Sequence, residues 1–254
     1  MTTARASTAS PIKIYDSREQ LEEAAAKTMA VAAAAAVRER GMCLLVLSGG
    51  ETPRGVYRRL ATPPWRDRID WAHVHLLFGD ERIVPPDHPL SNYGMVQAEL
   101  LSRVPIPAGN IHRIRGELNP DEAVRSYEDE VTGLLASAAG RFDFALLGVG
   151  EDGHTASLFP GKSTLVTPSR PIVSVPGPKA WRVSMTAPLL NGAREIVFLV
   201  AGERKASIVR RILELNEPTP DLPASLIRPS DGRLLWMLDR EAAAALDPSL
   251  MRQI

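Results

Sequence analysis

Short, unbroken apolar runs alternate along the chain with longer amphipathic or alanine-rich stretches, and glycines or prolines stand at most of the junctions. Residues 44–47, 74–78, 142–147, 196–201 and 234–238 are hydrophobic runs of strand length, the pattern of strands covered on both faces. Weaker strand signals fall near 172–175 and 182–185. Helix signals lie between them. Ser17-Arg18-Glu19-Gln20 has the form of a capping box opening a helix that runs to Arg40, with Gly41 as its left-handed terminator. A second helix starts near Pro53. A third spans about 92–103, after a loop kept open by Pro85, Pro86 and Pro89. Asn119-Pro120-Asp121-Glu122 caps a fourth, which stops at Gly140. Further helices are expected at 203–215, near Ala224 and at the end of the chain.

Strand, loop and helix in repeated order predict an α/β fold: one mainly parallel, doubly wound sheet with helices on both faces, a Rossmann-like three-layer sandwich. No internal repeat or long linker divides it, so residues 11–254 are expected to form a single domain. Residues 1–10 are small and polar. They read as a disordered tail and not as a signal peptide.

Composition narrows the function classes. Hydrophobic residues make up 44% and charged residues 24%, enough for a full core. Thirty basic side chains balance thirty acidic ones, so no global field draws nucleic acid or an anionic membrane, and any anion site must be local. The apolar run 30–37 falls short of the roughly 20 residues a membrane span needs. Cys43 is the only cysteine, which excludes an internal disulfide and fits a reducing, cytoplasmic setting; inside its apolar run it reads as a small buried hydrophobe. The expected partner is a small molecule, with no nucleic acid and no membrane, and the chain is expected to act as a monomer.

In open parallel sheets ligands bind beyond the carboxyl ends of the strands. Four polar clusters follow strands here. Ser48-Gly49-Gly50-Glu51-Thr52-Pro53 lets backbone approach an anion and presents helix N–H groups and two hydroxyls, Ser48 and Thr52, which suits a phosphate. It lacks the Gly-Lys-Ser/Thr ending of a nucleotide P-loop and the Gly-x-Ser-x-Gly elbow of α/β-hydrolases. Asp80-Glu81-Arg82, read as a loop, puts both charge signs at a strand end. His73 and His75, two apart on the preceding strand, have a spacing compatible with a metal, but no Cys or further His stands at ligand spacing. Gly148-Val149-Gly150-Glu151-Asp152-Gly153-His154 is the most specific element: three glycines contort the loop, and an acid beside a histidine supplies a general base with a group to orient it. Lys205 opens a helix against its dipole, a mismatch an anion would relieve, and Arg182 is a second available cation.

Together these segments resemble the 6-phosphogluconolactonase family, within the superfamily that includes glucosamine-6-phosphate deaminases. The similarity rests on 47–53, on Gly79-Asp80-Glu81-Arg82 with Ser91-Asn92-Tyr93, on 147–160, on 182–186 and on 201–206, in the family's order and over about 14–246. The deaminases continue past Asp-Gly-His with a Glu-Pro pair whose acid assists ring opening. Here Thr155-Ala156-Ser157-Leu158-Phe159-Pro160 carries no acid, which is the lactonase form.

The resemblance implies hydrolysis of 6-phosphoglucono-δ-lactone to 6-phosphogluconate in the oxidative pentose phosphate pathway, with no metal or organic cofactor. It implies His154 as base, Asp152 or Asp80 as the acid that orients His154 or Arg82, and Arg82 as oxyanion donor. Ser48, Gly49, Gly50, Thr52, Asn92, Arg182 and Lys205 are the substrate- and phosphate-binding residues. Three alternatives stay open at this point: an aminosugar-phosphate deaminase or isomerase on the same scaffold, a serine hydrolase using Ser48, and a non-enzymatic sugar-phosphate sensor.

Overall fold

The computed structural model describes residues 11–161, 170–215 and 217–247. The expected tail at 1–10 lies outside them. The chain order is β1 (Ile12–Tyr15), α1 (Arg18–Arg40), β2 (Cys43–Leu47), α2 (Glu51–Leu60), α3 (Trp65–Arg68), β3 (Val74–Phe78), β4 (Asp80–Arg82), α4 (Asn92–Glu99), β5 (Ile111–His112) and α5 (Pro120–Ser137). It continues with β6 (Phe144–Leu147), β7 (Ile172–Pro176), β8 (Trp181–Met185), α6 (Ala187–Asn191), β9 (Glu195–Val200), α7 (Ala206–Leu213), β10 (Arg233–Asp239) and α8 (Arg240–Ala243).

Among the described residues, seven strands form one sheet in the order β1-β10-β9-β6-β2-β3-β5, with every neighbouring pair parallel. β2 and β6 are buried at every position. Because successive side chains point to opposite faces, both faces of the sheet are covered there. One continuous core runs from Ile12 to Leu246 and includes a stacked Phe198–Trp236 pair 4.2 Å apart. The α/β, mainly parallel architecture is the one the apolar runs predict.

α1 follows its sequence signals closely. Ser17 Oγ accepts from Gln20 N at 3.3 Å, and Gly41 ends the helix with φ of 77° and an N–H bonded to Val37 O. In the returning bond Asp16 N, one residue before the cap, donates to Gln20 Oε1. Ala25, Ala26, Ala30, Ala33 and Ala36 are buried, so the helix approaches its neighbours on small side chains.

Three expectations are corrected. Asp80-Glu81-Arg82 is not a loop. It is β4, in a second sheet of order β4-β8-β7 that is antiparallel throughout. Gly79 makes the transfer: its N–H bonds Leu47 O in the large sheet, and its C=O accepts from Met185 N in the small one, both at 2.8 Å. A three-residue strand of charged residues has no hydrophobic period to reveal it, since its pairing comes from tertiary structure. Correspondingly, the strands near 172 and 182 belong to this small sheet. β7 and β8 are joined by a hairpin turn closed by Gly177 N donating to Ala180 O. Finally, His73 is not on β3. It ends a 3₁₀ turn and meets Asp70, whereas His75 on β3 meets His112 of β5 at 3.0 Å, and His112 in turn meets Glu130 at 2.7 Å. The two histidines therefore share no metal-binding face. The third and fifth helices are also shorter than expected, each giving way to 3₁₀ geometry at 101–103 and 203–205.

Two buried tyrosines finish the strands that lead into the polar loops. Tyr57 Oη accepts from Ser48 N and donates to Ser48 O; Tyr127 Oη does the same for Phe78 N and O. Each supplies partners to backbone groups at a point where the ladder ends, where an unsatisfied pair would cost about 1–3 kcal/mol per group.

Burial, with the charges of His112 and His73, holds the His75 imidazole below its ordinary value. A group whose folded value is depressed binds its proton more readily when unfolded. The associated stability is therefore complete above about pH 6.5 and is lost as the pH falls below that. Melting temperature should decline between about pH 7.5 and 5.5, and His75→Gln should flatten part of that decline. Parallel melting curves for the two proteins would show that His75 carries none of it.

Candidate active site

Chain direction across the sheet reverses between β2 and β6, the place where an open parallel sheet leaves a crevice. An open cleft of about 690 Å³, solvent at its mouth included, lies there. The Ser48 loop, the first turn of α2, the His154 loop and the β4–β8 ladder line it.

The His154 loop folds back on itself through Gly150 N to His154 O at 2.8 Å and Gly153 N to Gly150 O at 3.0 Å. Thr155 Oγ1 anchors it to Gly148 O. Asp152 Oδ1 lies 2.5 Å from His154 Nδ1 and 3.1 Å from His154 N. Partial burial pushes the Asp152 carboxyl up, but the bonds from His154 and its charge prevail and hold the carboxyl below its ordinary value. An ionised Asp152 accepts the Nδ1 proton, which leaves Nε2 of His154 as the basic nitrogen. A Cβ on Gly150 would lie 2.0 Å from His154 Nδ1, so only glycine leaves room for the pair. The imidazole also packs on Phe159, with ring centroids 4.9 Å apart.

Across the cleft, Arg82 and Arg182 are directly paired positions of the β4–β8 ladder. Like charges opposite one another destabilise a ladder unless something offsets them. Asp80 is the buried carboxylate at hand. Its Oδ2 takes the Ser157 hydroxyl at 2.5 Å and lies 3.6 Å from Arg182 Nη1, while Asn92 Nδ2 bonds its backbone oxygen at 2.9 Å. Burial lowers the Arg182 pKa, Asp80 opposes that, and Arg82 adds to it. Arg82 donates to Leu90 O. The neighbouring Glu81 is almost fully buried and turned to the start of α4, accepting from Asn92 N, Tyr93 N and Ser91 Oγ, and from Arg82 N. Burial raises its pKa against the pull of those backbone bonds.

The Ser48 loop supplies donors. Gly50 precedes α2 with φ of 107° and no side chain caps the helix. A Cβ on Gly49 would lie 1.9 Å from Asn92 Oδ1, so this glycine lets the loop meet α4. Ser48 Oγ, Arg82 Nε and Arg182 Nε are buried without a hydrogen-bond partner among the described residues, and all three residues line the cleft. Three unsatisfied donors around one cleft suit an anion. No group of three or more His, Cys, Asp and Glu side chains among the described residues is placed to hold a metal ion.

The chain matches the profile of the glucosamine-6-phosphate isomerases/6-phosphogluconolactonase family over residues 16–236. It belongs to that family. A 6-phosphogluconolactonase of Haemophilus influenzae is 40% identical over 201 residues, covering 79% of this chain and 86% of that protein. The 6-phosphogluconolactonase of Homo sapiens is 39% identical over 242 residues, covering 92% and 93%. The crystal structure of 6-phosphogluconolactonase from Thermotoga maritima superposes with a TM-score of 0.79 at 30% identity, covering 91% of this chain and 99% of that one.

Within this family member, Ser48, Gly49, Gly50, Thr52, Asp80, Arg82, Asn92, His154 and Arg182 converge on the cleft. Asp152 and Lys205 do not line it. Asp152 sits behind the imidazole. Lys205 is half-buried beside the same loop, its pKa lowered by burial and by Arg204 against the opposing charges of Glu151 and Asp152. Of the two acids, Asp152 faces His154, whereas Asp80 faces Arg182 and not Arg82. Glu81, Ser157, Phe159 and Tyr57 carry no chemical signal in the sequence, except that Ser157 and Phe159 lie within the segment that separates the lactonase form.

Gly150→Ala should displace the imidazole and lower kcat about 100-fold or more with the fold kept, the scale of a lost general base. Wild-type turnover in a well-folded Gly150→Ala protein would remove the steric argument.

Proposed function

We propose that the chain hydrolyses 6-phosphoglucono-δ-lactone to 6-phosphogluconate, with His154 as general base and no covalent intermediate. The observation that carries this reading is the Asp152-oriented imidazole facing, in one cleft, a pair of arginines and an uncapped helix start. Nε2 of His154 takes a proton from water, and the hydroxide attacks the lactone carbonyl. The resulting tetrahedral oxyanion needs preorganised donors, and Arg82 is assigned to it. Collapse breaks the bond between the carbonyl carbon and the ring oxygen. The imidazolium returns its proton to that oxygen, giving the open acid, which ionises.

Ser48, Gly49, Gly50 and Thr52 at the start of α2, with Arg182 and Lys205, are assigned to the phosphate. Holding that remote group fixes the carbonyl against the base. Asn92 is assigned to support Asp80 and the Ser48 loop at the rim. The continuation past His154, Thr155 to Pro160, carries no acid such as the deaminase form has, which supports hydrolysis over ammonia release.

The reading extends to setting. The exposed large hydrophobic residues among the described ones are Val31 and Trp181, too few for the apolar centre of an obligate interface, which supports a monomer. Its lone Cys43 is buried and free, which supports a reducing cytoplasm. No helix among the described residues is long and apolar enough to cross a membrane.

In a lactone-hydrolysis assay, His154→Ala should lower kcat by about 100-fold or more. Near-wild-type kcat would sink the assignment, and ammonia release from glucosamine 6-phosphate would replace it with the deaminase reading. Lys205→Ala should raise KM by about tenfold with kcat little changed, as loss of a phosphate contact requires. A fall in kcat at constant KM would instead tie Lys205 to Asp152.

A further inference from the structure

Ser157 is fully buried beside the cleft, as are Thr155 and Ser184, and the reaction scheme has no use for it. It lies three residues past His154, and Ala156 between them has φ of 48°, an uncommon conformation for a residue with a side chain. That twist lets Ala156 line the cleft while Ser157 points inward. Ser157 N is fixed by Ser184 Oγ at 3.2 Å. The Ser157 hydroxyl donates to Asp80 Oδ2 at 2.5 Å, the same oxygen that lies 3.6 Å from Arg182 Nη1, and Arg182 Nη1 reaches Ser157 Oγ only at 3.5 Å.

A carboxylate beside a guanidinium ordinarily draws it into a short, two-pronged pair. Here the pair stays long, and Arg182 Nε remains without a partner. Asp80 also accepts from Ser157 on Oδ2, the oxygen nearest Arg182, and from Asn92 at 3.3 Å on Oδ1. Meanwhile the guanidinium lies over Phe159, 5.5 Å from the ring centroid, on the ring that also carries His154.

We propose that Ser157 is a positioning residue that competes with Arg182 for Asp80, keeping the Arg182 guanidinium available to the anionic substrate. The inference rests on the assignment of Arg182 to substrate binding. Without the hydroxyl, Asp80 closes on Arg182 and the cleft loses a cation. The same bond joins the His154 segment to the β4–β8 ladder, so the base and the anion site are positioned by one contact.

The test is a double-mutant cycle on lactone hydrolysis with Ser157→Ala, Arg182→Gln and the combined variant. Ser157→Ala should raise KM about tenfold, the scale of one hydrogen bond to a charged group, while kcat changes less than about threefold. The combined variant should be no worse in KM than Arg182→Gln alone, because the hydroxyl acts through that arginine. Ser157→Cys, nearly isosteric with a much weaker donor, should reproduce the KM rise and serves if the alanine variant does not fold. A purely structural serine would lower kcat through the active fraction, leave KM in place and act independently of Arg182. Unchanged KM in the serine variants, or multiplicative effects in the combined one, overturns the proposal. Unchanged KM in Arg182→Gln overturns the arginine assignment instead.

Discussion

Arg82 and Arg182 stand opposite each other across the β4–β8 ladder, and the groups around the cleft are disposed in response to that repulsion. Buried Asp80, 3.6 Å from Arg182, offsets it most directly, with a smaller contribution from Glu81, and the Asp80 oxygens also accept from Ser157 and Asn92. Glu81, the next residue, is committed to the start of α4. The Nε atoms of both arginines are thus left buried at the cleft without a hydrogen-bond partner among the described residues. In the proposed reaction the phosphate or the developing oxyanion supplies one. Gly79 makes this possible, because its two backbone bonds let one chain leave the parallel sheet and enter the ladder without a break.

The base and the charge come from different kinds of structure. The Asp152–His154 pair belongs to a short loop whose shape depends on missing side chains, above all at Gly150. The arginines belong to strands whose register is set by ladder bonds. Loop and ladder meet at Phe159, which takes the imidazole on one contact and the Arg182 guanidinium on another. The tyrosines at the ends of β2 and β3 stiffen the same edge from below, so the groups converge with little freedom left to lose on binding.

The fold was legible where burial imposes a pattern. Leu44 to Leu47 and Val74 to Phe78 read as doubly covered strands and are such strands, and Ser17 and Gly41 bound α1 as their chemistry requires. β4 was not legible, because Asp80, Glu81 and Arg82 carry no apolar alternation and owe their strand geometry to β8, a hundred residues away in sequence. The two-residue β5 offers no window long enough to show a period. In the site, residues with intrinsic chemistry were identifiable: His154 with its acid, the glycine turn at Ser48, the arginines. Ser157 and Glu81 were not, since an ordinary serine gains meaning only from Asp80, 77 residues away, and an ordinary glutamate only from the folding of α4 back onto β4.

β1 pairs with a single neighbour, β10, with Ile12 opposite Trp236 and Tyr15 opposite Asp239. The pairing joins positions more than two hundred residues apart in sequence, so this side of the sheet is held by a wholly non-local ladder. With no second neighbour among the described residues, β1 takes over from β10 as the edge strand. At four residues it is a short edge, which leaves little backbone for another chain to pair with.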